Sequence, residues 1–275
     1  MSGDDGGSGS EPAPGRPSAL GRPRVHLRET GSTNDRAREL ALAGAPHGTL
    51  VTASSQSAGR GRQGRRWSAP AHSALLMSLL LRSPPQLLPL IAAVAVCDVA
   101  GEESRVKWPN DIVLVRDSPA GADAEAGAMD AGPGPANIGL PVLAKLAGIL
   151  VEGRPQAGWA VLGIGLNVAV RLEELPLELR PVAATLGLRT DAIEAALAQL
   201  LDALALRLGQ PTAEILDAWR ARDALYGREI AWGPEDGRRR GRAGGIDGAG
   251  RLLVALDGGG GIALDAGEVH LEPVG

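Results

Sequence analysis

The sequence predicts an α+β protein built in two parts. Up to about residue 225, short apolar segments typical of strands alternate with segments that have helical periodicity. From residue 227 onward, the pattern changes to short strand segments separated by glycines. The 275 residues, of which 44% are hydrophobic, are enough for one large or two modest domains with a sizeable core.

Composition and charge exclude several classes of protein. The net charge of −4 argues against a general nucleic-acid binder, which would usually carry a surplus of basic residues. The single cysteine, Cys97, excludes an internal disulfide and a zinc site built from cysteines. No apolar run reaches about 18 residues, and no basic region precedes an apolar core at the start, so neither a transmembrane helix nor a secretory signal is predicted. We therefore expect a cytoplasmic protein.

The first helix is predicted to follow a short strand at 25–27. Ser32 has the side chain of an N-cap, with Asp35 three residues later in a capping-box arrangement, and Gly44 stops the helix. Residues 1–23 consist mainly of Gly, Ser, Pro and acids. We expect them to form a disordered tail that is too short to hold a helix-turn-helix.

Three apolar segments complete the first hundred residues. Strands are predicted over 50–53 and 74–82, and a buried helix over 85–101. Cys97 lies inside this helix, where we expect a packing residue rather than a nucleophile.

The loop Gly59–Trp67 contains three glycines, four arginines and a tryptophan. Glycines allow positive φ angles and let backbone N–H groups approach a ligand. Arginine side chains fit phosphate or carboxylate in two-point contacts, and Trp67 offers a flat apolar face to an adenine ring or a cation. Taken alone, the loop is equally compatible with anion binding and with a solvated basic loop or nucleic-acid patch.

Three polar or glycine-rich features lie further along the first part. Lys107–Asp111 is predicted to be a turn between two short apolar strands, and alone it could be a plain hairpin turn. Lys145 lies at the start of the next apolar strand. Burying its charge there costs free energy unless a partner or a ligand pairs with it. Gly163 and Gly165 share one face of the strand 159–168 and leave a flat floor on which a ligand can lie.

The remaining segments are an insertion, two helices and five strands. Residues 116–141 are rich in Ala, Gly, Pro and Asp, which predicts a loop insertion. The helices are predicted over 190–208 and 212–225, and the strands over 229–232, 240–246, 252–256, 261–264 and 268–271.

Five motifs occur in the order and approximate spacing of the biotin protein ligases, which the chain resembles from about residue 25 to 272. They are Ser32–Asn34, Gly59–Trp67, Lys107–Asp111, Lys145–Ile149 and Gly163–Asn167. The resemblance implies a mixed-sheet catalytic domain over 24–225, with a flexible insertion at 116–141, and then a small SH3-like barrel over 226–275. It is to the type without an N-terminal DNA-binding domain, so we expect neither DNA nor a membrane as a partner.

The resemblance implies a two-step reaction. Biotin and ATP, with a magnesium ion expected, first give biotinyl-5′-AMP and pyrophosphate. A lysine of a biotin carboxyl carrier protein or domain then takes the biotinyl group. Arg60 and Arg62 would gather the two anions, and Lys145 would lie beside the biotin carboxylate and the α-phosphate. Lys107 would assist at the phosphates, and Asp111 would orient the carrier lysine or take its proton.

The implied binding residues extend beyond these five. Ser32, Thr33 and Gln56 would pair with the ureido ring of biotin above the glycine floor. Trp67 would stack on adenine, and Asn167 would hydrogen bond to it. The complete set implied for biotin and ATP is Ser32, Thr33, Asn34, Gln56, Gly59, Arg60, Gly61, Arg62, Arg65, Trp67, Lys145, Gly148, Gly163, Gly165 and Asn167, with no protein ligand to a metal.

Two alternatives stay open. Lipoate ligases and octanoyl transferases share the implied fold and attach a different acid to a similar lysine, although the polar groups of Ser32–Asn34 and Gln56 favour a ureido ring. A module that only binds RNA or another polyanion would rest on the Gly59–Trp67 loop, and the acidic pI of about 5.7 argues against it. The length of the 116–141 insertion departs from the few residues usual in the family.

Overall fold

Two β-sheets organise the part of the chain that the computed structural model describes, residues 20–116, 141–154, 158–265 and 269–271. The first sheet contains β1 (Arg24–Leu27), β2 (Leu50–Ala53), β3 (Ala74–Arg82), β4 (Ser104–Lys107), β5 (Asp111–Arg116), β6 (Val142–Arg154) and β7 (Trp159–Asn167). The second contains β8 (Glu229–Trp232), β9 (Arg239–Ile246), β10 (Leu252–Ala255), β11 (Gly261–Leu264) and β12 (Val269–Leu271). The α-helices in these ranges are α1 (Thr33–Leu42), α2 (Leu88–Ala100), α3 (Ile193–Leu208) and α4 (Thr212–Arg220).

The first sheet is mixed, with strand order β1-β2-β3-β7-β6-β5-β4. β1 and β2 are parallel, and the other neighbouring strands are antiparallel. The central strand β3 pairs with β7 along its whole length, from Ala74 opposite Asn167 to Arg82 opposite Trp159. All residues of β3 before Arg82 are buried, which fits its continuous apolar sequence because both faces of the strand are covered.

Helices cover both faces of this sheet. On one face, Ala37 and Ala41 of α1 pack with Leu80 and Trp159. On the other face, α2, α3 and α4 contribute to the largest hydrophobic core. Cys97 of α2 lies in that core with no exposed surface, as expected for a packing residue.

The helices and strands predicted from the sequence are present, and one boundary differs by more than three residues. α4 ends at Arg220 instead of continuing to about residue 225. The chain turns there because the backbone N–H of Val106 donates to the carbonyl of Arg222 at 2.7 Å, and that of Ala224 donates back to the carbonyl of Val106 at 2.9 Å. These bonds tie the connection after α4 to β4.

The second sheet is antiparallel, with order β11-β10-β9-β8-β12. The indole N–H of Trp108, in the turn after β4, donates to the carbonyl of Gly250, before β10, at 3.1 Å. Leu225 and Ile230 belong to the same core as α2, so the two sheets share packing. None of the described helices is long and apolar enough to cross a membrane. Of the disordered tail predicted over 1–23 and the insertion predicted over 116–141, residues 1–19 and 117–140 lie outside the described residues. The end of the predicted tail is ordered instead, since the backbone N–H of Gly21 donates to the carbonyl of Gly48 at 2.8 Å and that of Leu50 donates to the carbonyl of Pro23 at 2.9 Å.

Candidate ligand-binding cleft

One cleft collects most of the predicted site residues. It lies between the start of α1, the Gly59–Trp67 loop, the turn after β4, the start of β6 and the middle of β7. The predicted residues that line it are Ser32, Thr33, Asn34, Gln56, Arg60, Gly61, Arg62, Arg65, Trp67, Lys107, Asp111, Lys145, Gly148, Gly163 and Gly165. Two predicted residues, Gly59 and Asn167, are not among the lining residues.

One end of the cleft is a buried network of polar side chains, which we call the polar pocket: Thr33, Asn34, Gln56 and Ser78. The side-chain oxygen of Gln56 accepts from the backbone N–H of Thr33 at 2.7 Å and from its hydroxyl at 3.0 Å. The Ser78 hydroxyl lies 2.8 Å from the Thr33 hydroxyl and 2.5 Å from the amide oxygen of Asn34. These bonds fix the orientation of each polar group before a ligand arrives.

Ser32 caps α1, as predicted. Its hydroxyl accepts from the backbone N–H of Asn34 at 3.3 Å. Asp35 does not act as the predicted capping-box partner, since its carboxylate accepts from the guanidinium of Arg60 at 2.6 Å. The helix start therefore presents Ser32 and Thr33 to the cleft and directs Asp35 toward the Gly59–Trp67 loop.

The glycines of β6 and β7 form the floor of the cleft, as the sequence predicted. A Cβ added to Gly163 would lie 2.1 Å from the Asn34 amide oxygen, and one added to Gly165 would lie 2.5 Å from the ring of Trp67. One added to Gly148 would lie 3.1 Å from the same ring. The indole of Trp67 therefore lies against the floor in this structure.

The Gly59–Trp67 loop folds as a small hairpin. The backbone N–H of Gly61 donates to the carbonyl of Arg65 at 2.8 Å, and that of Trp67 donates to the carbonyl of Gly59 at 3.0 Å. A Cβ on Gly59 would lie 2.5 Å from the carbonyl oxygen of Trp67, so this glycine permits the hairpin to close. At the tip, Gly64 has a φ of 76°, which glycine adopts readily.

A second part of the cleft, which we call the cationic rim, is lined by Arg62, Arg65, Lys107 and Lys145 together with Asp111. Nζ of Lys145 forms an ion pair with Oδ1 of Asp111 at 2.7 Å and lies 5.7 Å from the centre of the Trp67 ring. The strand register shifts between Ile112 and Val113, so β6 bulges immediately after Lys145. Bulges of this kind redirect side chains and are frequent beside active sites.

Burial changes the acidity of two other cations at the rim. It lowers the pKa of Lys107, and the positive charges of Lys145 and Arg65 lower it further while Asp111 opposes them. Burial also lowers the pKa of Arg62, whose guanidinium donates to the amide oxygen of Asn110 at 3.2 Å. A negative charge entering the cleft would relieve the cost of holding these cations together.

Asn167 and Arg60 contact other protein groups than the ligand groups that the resemblance implied for them. The amide of Asn167 donates to the carbonyl of Ala184 at 2.9 Å, outside the cleft, so adenine binding by Asn167 remains a prediction. The guanidinium of Arg60 reaches Asp35 at 2.6 Å and Glu152 at 3.0 Å. Its role at the phosphates also remains a prediction.

Several lining or network residues were missed by the sequence reasoning. Ser78 is the one polar residue before Arg82 in the apolar strand β3. A single polar residue in such a strand could have been predicted to have a specific hydrogen-bonding role. Glu152 lies in β6, three residues after the Lys145–Ile149 motif, and its carboxylate accepts from the Asn34 amide at 2.9 Å. Val269 brings the second sheet to the cleft, which only the tertiary structure reveals. Within the described ranges, no three His, Cys, Asp or Glu side chains are grouped so that they could hold a metal.

The comparisons with known proteins agree with this geometry. The model of the "Biotin/lipoate A/B protein ligase family" matches residues 27–168. A biotin--[acetyl-CoA-carboxylase] ligase of Mycobacterium tuberculosis is 32% identical over 267 residues, which cover 89% of this chain and 87% of the relative. The bifunctional ligase/repressor BirA of Bacillus spizizenii is 33% identical over 181 residues, covering 61% of this chain and 47% of the relative. The chain thus spans about half the length of that ligase/repressor.

A solved structure shows the same fold. The biotin protein ligase of Aquifex aeolicus, in complex with biotin and ATP, superposes with a TM-score of 0.69 at 23% identity, covering 92% of this chain and 100% of the other. The mixed sheet brings the polar pocket and the cationic rim to one glycine-floored cleft. With the family match and the Mycobacterium relative, the chain belongs to the biotin/lipoate A/B protein ligase family.

Proposed function

We propose that the protein joins biotin to ATP, giving biotinyl-5′-AMP and pyrophosphate, and then transfers the biotinyl group to a lysine of a biotin carboxyl carrier protein or domain. The observation that carries this proposal is the pairing of the polar pocket with the cationic rim on one glycine floor. The pocket offers donors and acceptors to a ureido ring, and the rim offers cations to a carboxylate and phosphates. The names of the Mycobacterium relative and the Aquifex complex support the same substrates.

In the first step, a carboxylate oxygen of biotin forms a bond to the α-phosphorus while the bond from that phosphorus to pyrophosphate breaks. The reacting groups are both negative, so cations must lower their repulsion. Lys145 is suited to this because its side chain lines the cleft beside the floor glycine Gly148, with Cε 3.3 Å from where a Cβ of that glycine would lie. Arg62, Arg65 and Lys107 line the same rim and would share the phosphate charge.

In the second step, the carrier lysine attacks the acyl carbon, the bond to the phosphate oxygen breaks, and AMP leaves. The attacking amine must first lose a proton. Asp111 is the carboxylate at the rim and would orient that amine or accept its proton. Trp67 would leave the floor to stack on adenine, since its ring now lies where Gly148 and Gly165 would contact a ligand.

A magnesium ion is expected with ATP, where it would neutralise phosphate charge. Magnesium commonly keeps several waters and binds through substrate phosphates and one or two carboxylates. Asp111, a carboxylate that lines the cleft, fits that mode.

We also propose the domain bounds, the absence of DNA as a partner and the cytoplasmic location that the sequence implied. The catalytic domain would cover 24–225 and the second sheet would form an SH3-like barrel over 226–275, supported by five short antiparallel strands. The net charge of −4 supports a protein that does not use DNA as a partner, and the proposed substrates fit the cytoplasm.

Mass spectrometry of the ligand released after denaturation tests the first step. The purified protein is incubated with magnesium, ATP and one acid at a time: biotin, lipoate or octanoate. We expect biotinyl-5′-AMP with biotin and no adenylate with the other acids. An adenylate of lipoate or octanoate alone would move the protein to the lipoate branch, and no adenylate with any acid would overturn the proposal.

A further inference from the structure

The side chains beside the polar pocket form an ion network that reaches the Gly59–Trp67 loop. Glu152 uses both carboxylate oxygens: Oε2 accepts from the amide of Asn34 at 2.9 Å, and Oε1 lies 3.0 Å from the guanidinium of Arg60. The other terminal nitrogen of Arg60 donates to Asp35 at 2.6 Å. One guanidinium thus holds β6, the first turn of α1 and the loop together.

The electrostatics of Arg60 distinguish it from the cations at the rim. Its hydrogen bond to Asp35 and the negative charge of Glu152 raise its pKa, whereas burial lowers the pKa of Arg62 and of Lys107. Asp35 and Glu152 also face Arg38, at 3.4 and 4.0 Å, but their shorter contacts are to Arg60, at 2.6 and 3.0 Å. Two carboxylates balance two guanidiniums in this cluster, so it brings no net positive charge to an incoming phosphate. Asp111 is the carboxylate that offsets the rim cations, and burial still lowers the pKa of Lys107 and of Arg62, so an arriving anion would stabilise these two cations further.

Glu152 also determines how Asn34 is oriented. The amide nitrogen of Asn34 donates to Glu152, and its oxygen lies 2.5 Å from the Ser78 hydroxyl. This leaves the Asn34 amide fixed directly above Gly163. A single carboxylate therefore connects the polar pocket to the loop through the guanidinium of Arg60.

We propose that Glu152 and Asp35 are positioning residues that hold Arg60 as an anchor of the Gly59–Trp67 loop, and that Arg60 fixes the loop against the polar pocket instead of binding the phosphates. This inference deepens the proposed function and rests on it for the identity of the ligand. Each ion pair alone would contribute little, because Arg60 and Asp35 are 41% and 46% exposed. Glu152 is only 20% exposed, and its link to Asn34 makes the pairs act as one network.

The test measures biotin affinity by calorimetry and the KM for magnesium ATP by pyrophosphate exchange. The variants are Glu152→Gln, Arg60→Gln and their combination. Glu152→Gln keeps an acceptor for Asn34 and removes the charge that holds Arg60. The matched control is Glu39→Gln, which removes another α1 ion pair, with Arg36 at 2.6 Å.

We expect each single variant to weaken biotin binding about tenfold, since the loop loses its anchor, and the double variant to lose little more, because the two residues act in one pair. The KM for ATP should stay within about twofold, and Glu39→Gln should match the wild type. A rise in the KM for ATP in Arg60→Gln with biotin affinity unchanged would overturn the proposal. Tighter ATP binding in Glu152→Gln would also overturn it, because the acids would then compete with phosphate for Arg60.

A second measurement needs no substrate. Trypsin cleavage after Arg62, Arg65 and Arg66 in the ligand-free protein should be faster in Glu152→Gln and Arg60→Gln than in the wild type and Glu39→Gln. Unchanged cleavage would contradict the anchor. If the wild type binds no biotin, the proposed function fails while this cleavage test still decides whether Arg60 anchors the loop.

Discussion

At the scale of single residues, the floor glycines leave room for the side chains that lie on them, and adding a Cβ should destabilise the fold. A Cβ at Gly163 would lie 2.1 Å from the buried amide oxygen of Asn34, so the backbone or Asn34 must move. We expect Gly163→Ala to lower the free energy of unfolding by about 1–3 kcal/mol, as overpacking does. Gly248→Ala is the control, since its Cβ would meet nothing within 4 Å, and it should stay within about 0.5 kcal/mol. Denaturant unfolding measures both, and equal effects would contradict the tight contact.

Lys107 makes a prediction about pH. Burial, reinforced by Lys145 and Arg65, lowers its pKa below the ordinary value of 10.5. The folded protein therefore loses this proton at a lower pH than the unfolded chain, so the lysine's contribution to stability rises with pH between those two values. Lys107→Met removes that contribution.

The measurement is the unfolding free energy of the ligand-free wild type and of Lys107→Met, from about pH 7 to about pH 10.5. The wild type should gain stability relative to the variant as the pH rises. The comparison is clean because the whole chain has only one other lysine, Lys145. A difference that stays flat, or that falls with pH, would contradict the lowered pKa.

The sequence predicted most of the cleft because its residues lie in short local motifs. The capping position predicted Ser32 as the N-cap of α1, and the spacing of Gly163 and Gly165 on one strand face predicted the floor. The resemblance to the biotin protein ligases then placed all three in one binding site. Ser78 and Glu152 were missed because their contacts cross the sheet to α1 and the loop. Such partners depend on which strands become neighbours, which no local pattern contains.

At the scale of elements, the connection between α4 and β8 contains a buried carboxylate, Asp223. Its Oδ1 accepts from the backbone N–H of Leu225 at 2.8 Å, but Oδ2 is buried and has no hydrogen-bond partner among the described residues. Burial raises the pKa of Asp223 above its ordinary value of 3.8. The charged form therefore destabilises the fold at neutral pH.

We expect Asp223→Asn to be more stable than the wild type at neutral pH by about 1 kcal/mol, since it keeps an acceptor for Leu225 without the buried charge. The folded protein binds the proton of Asp223 at a higher pH than the unfolded chain. The advantage of the variant should therefore shrink as the pH falls through the raised folded value and vanish below about 3.8. Thermal unfolding at several pH values measures it, and an advantage independent of pH would contradict the assignment.

Element types were predictable, whereas their arrangement was not. The apolar run of β3 indicated a buried strand, and the glycine-separated segments after residue 227 indicated a group of short strands. The parallel pairing of β1 with β2 and the position of β7 beside β3 depend on tertiary contacts. The end of α4 was also misplaced, because backbone bonds to Val106 stop the helix there.

At the scale of the whole molecule, the two sheets build the cleft together. The Trp108 indole bonds the carbonyl of Gly250, which fixes the turn that carries Lys107 and Asp111. Val269 of the second sheet lines the same cleft. The second sheet therefore supports the rim, where charge on the ligand is expected, while α1 and the central strands hold the polar pocket.

The measurement that tests the account most directly is acid-dependent ATP–pyrophosphate exchange, with the wild type and Lys145→Ala compared. If the cleft forms an acyl adenylate, exchange will require biotin and will fall in the variant by on the order of 10²–10³, as expected when a cation that stabilises the transition state is removed. Exchange that proceeds without biotin, or that is unchanged in Lys145→Ala, would contradict the assignment of this cleft as the site of adenylation.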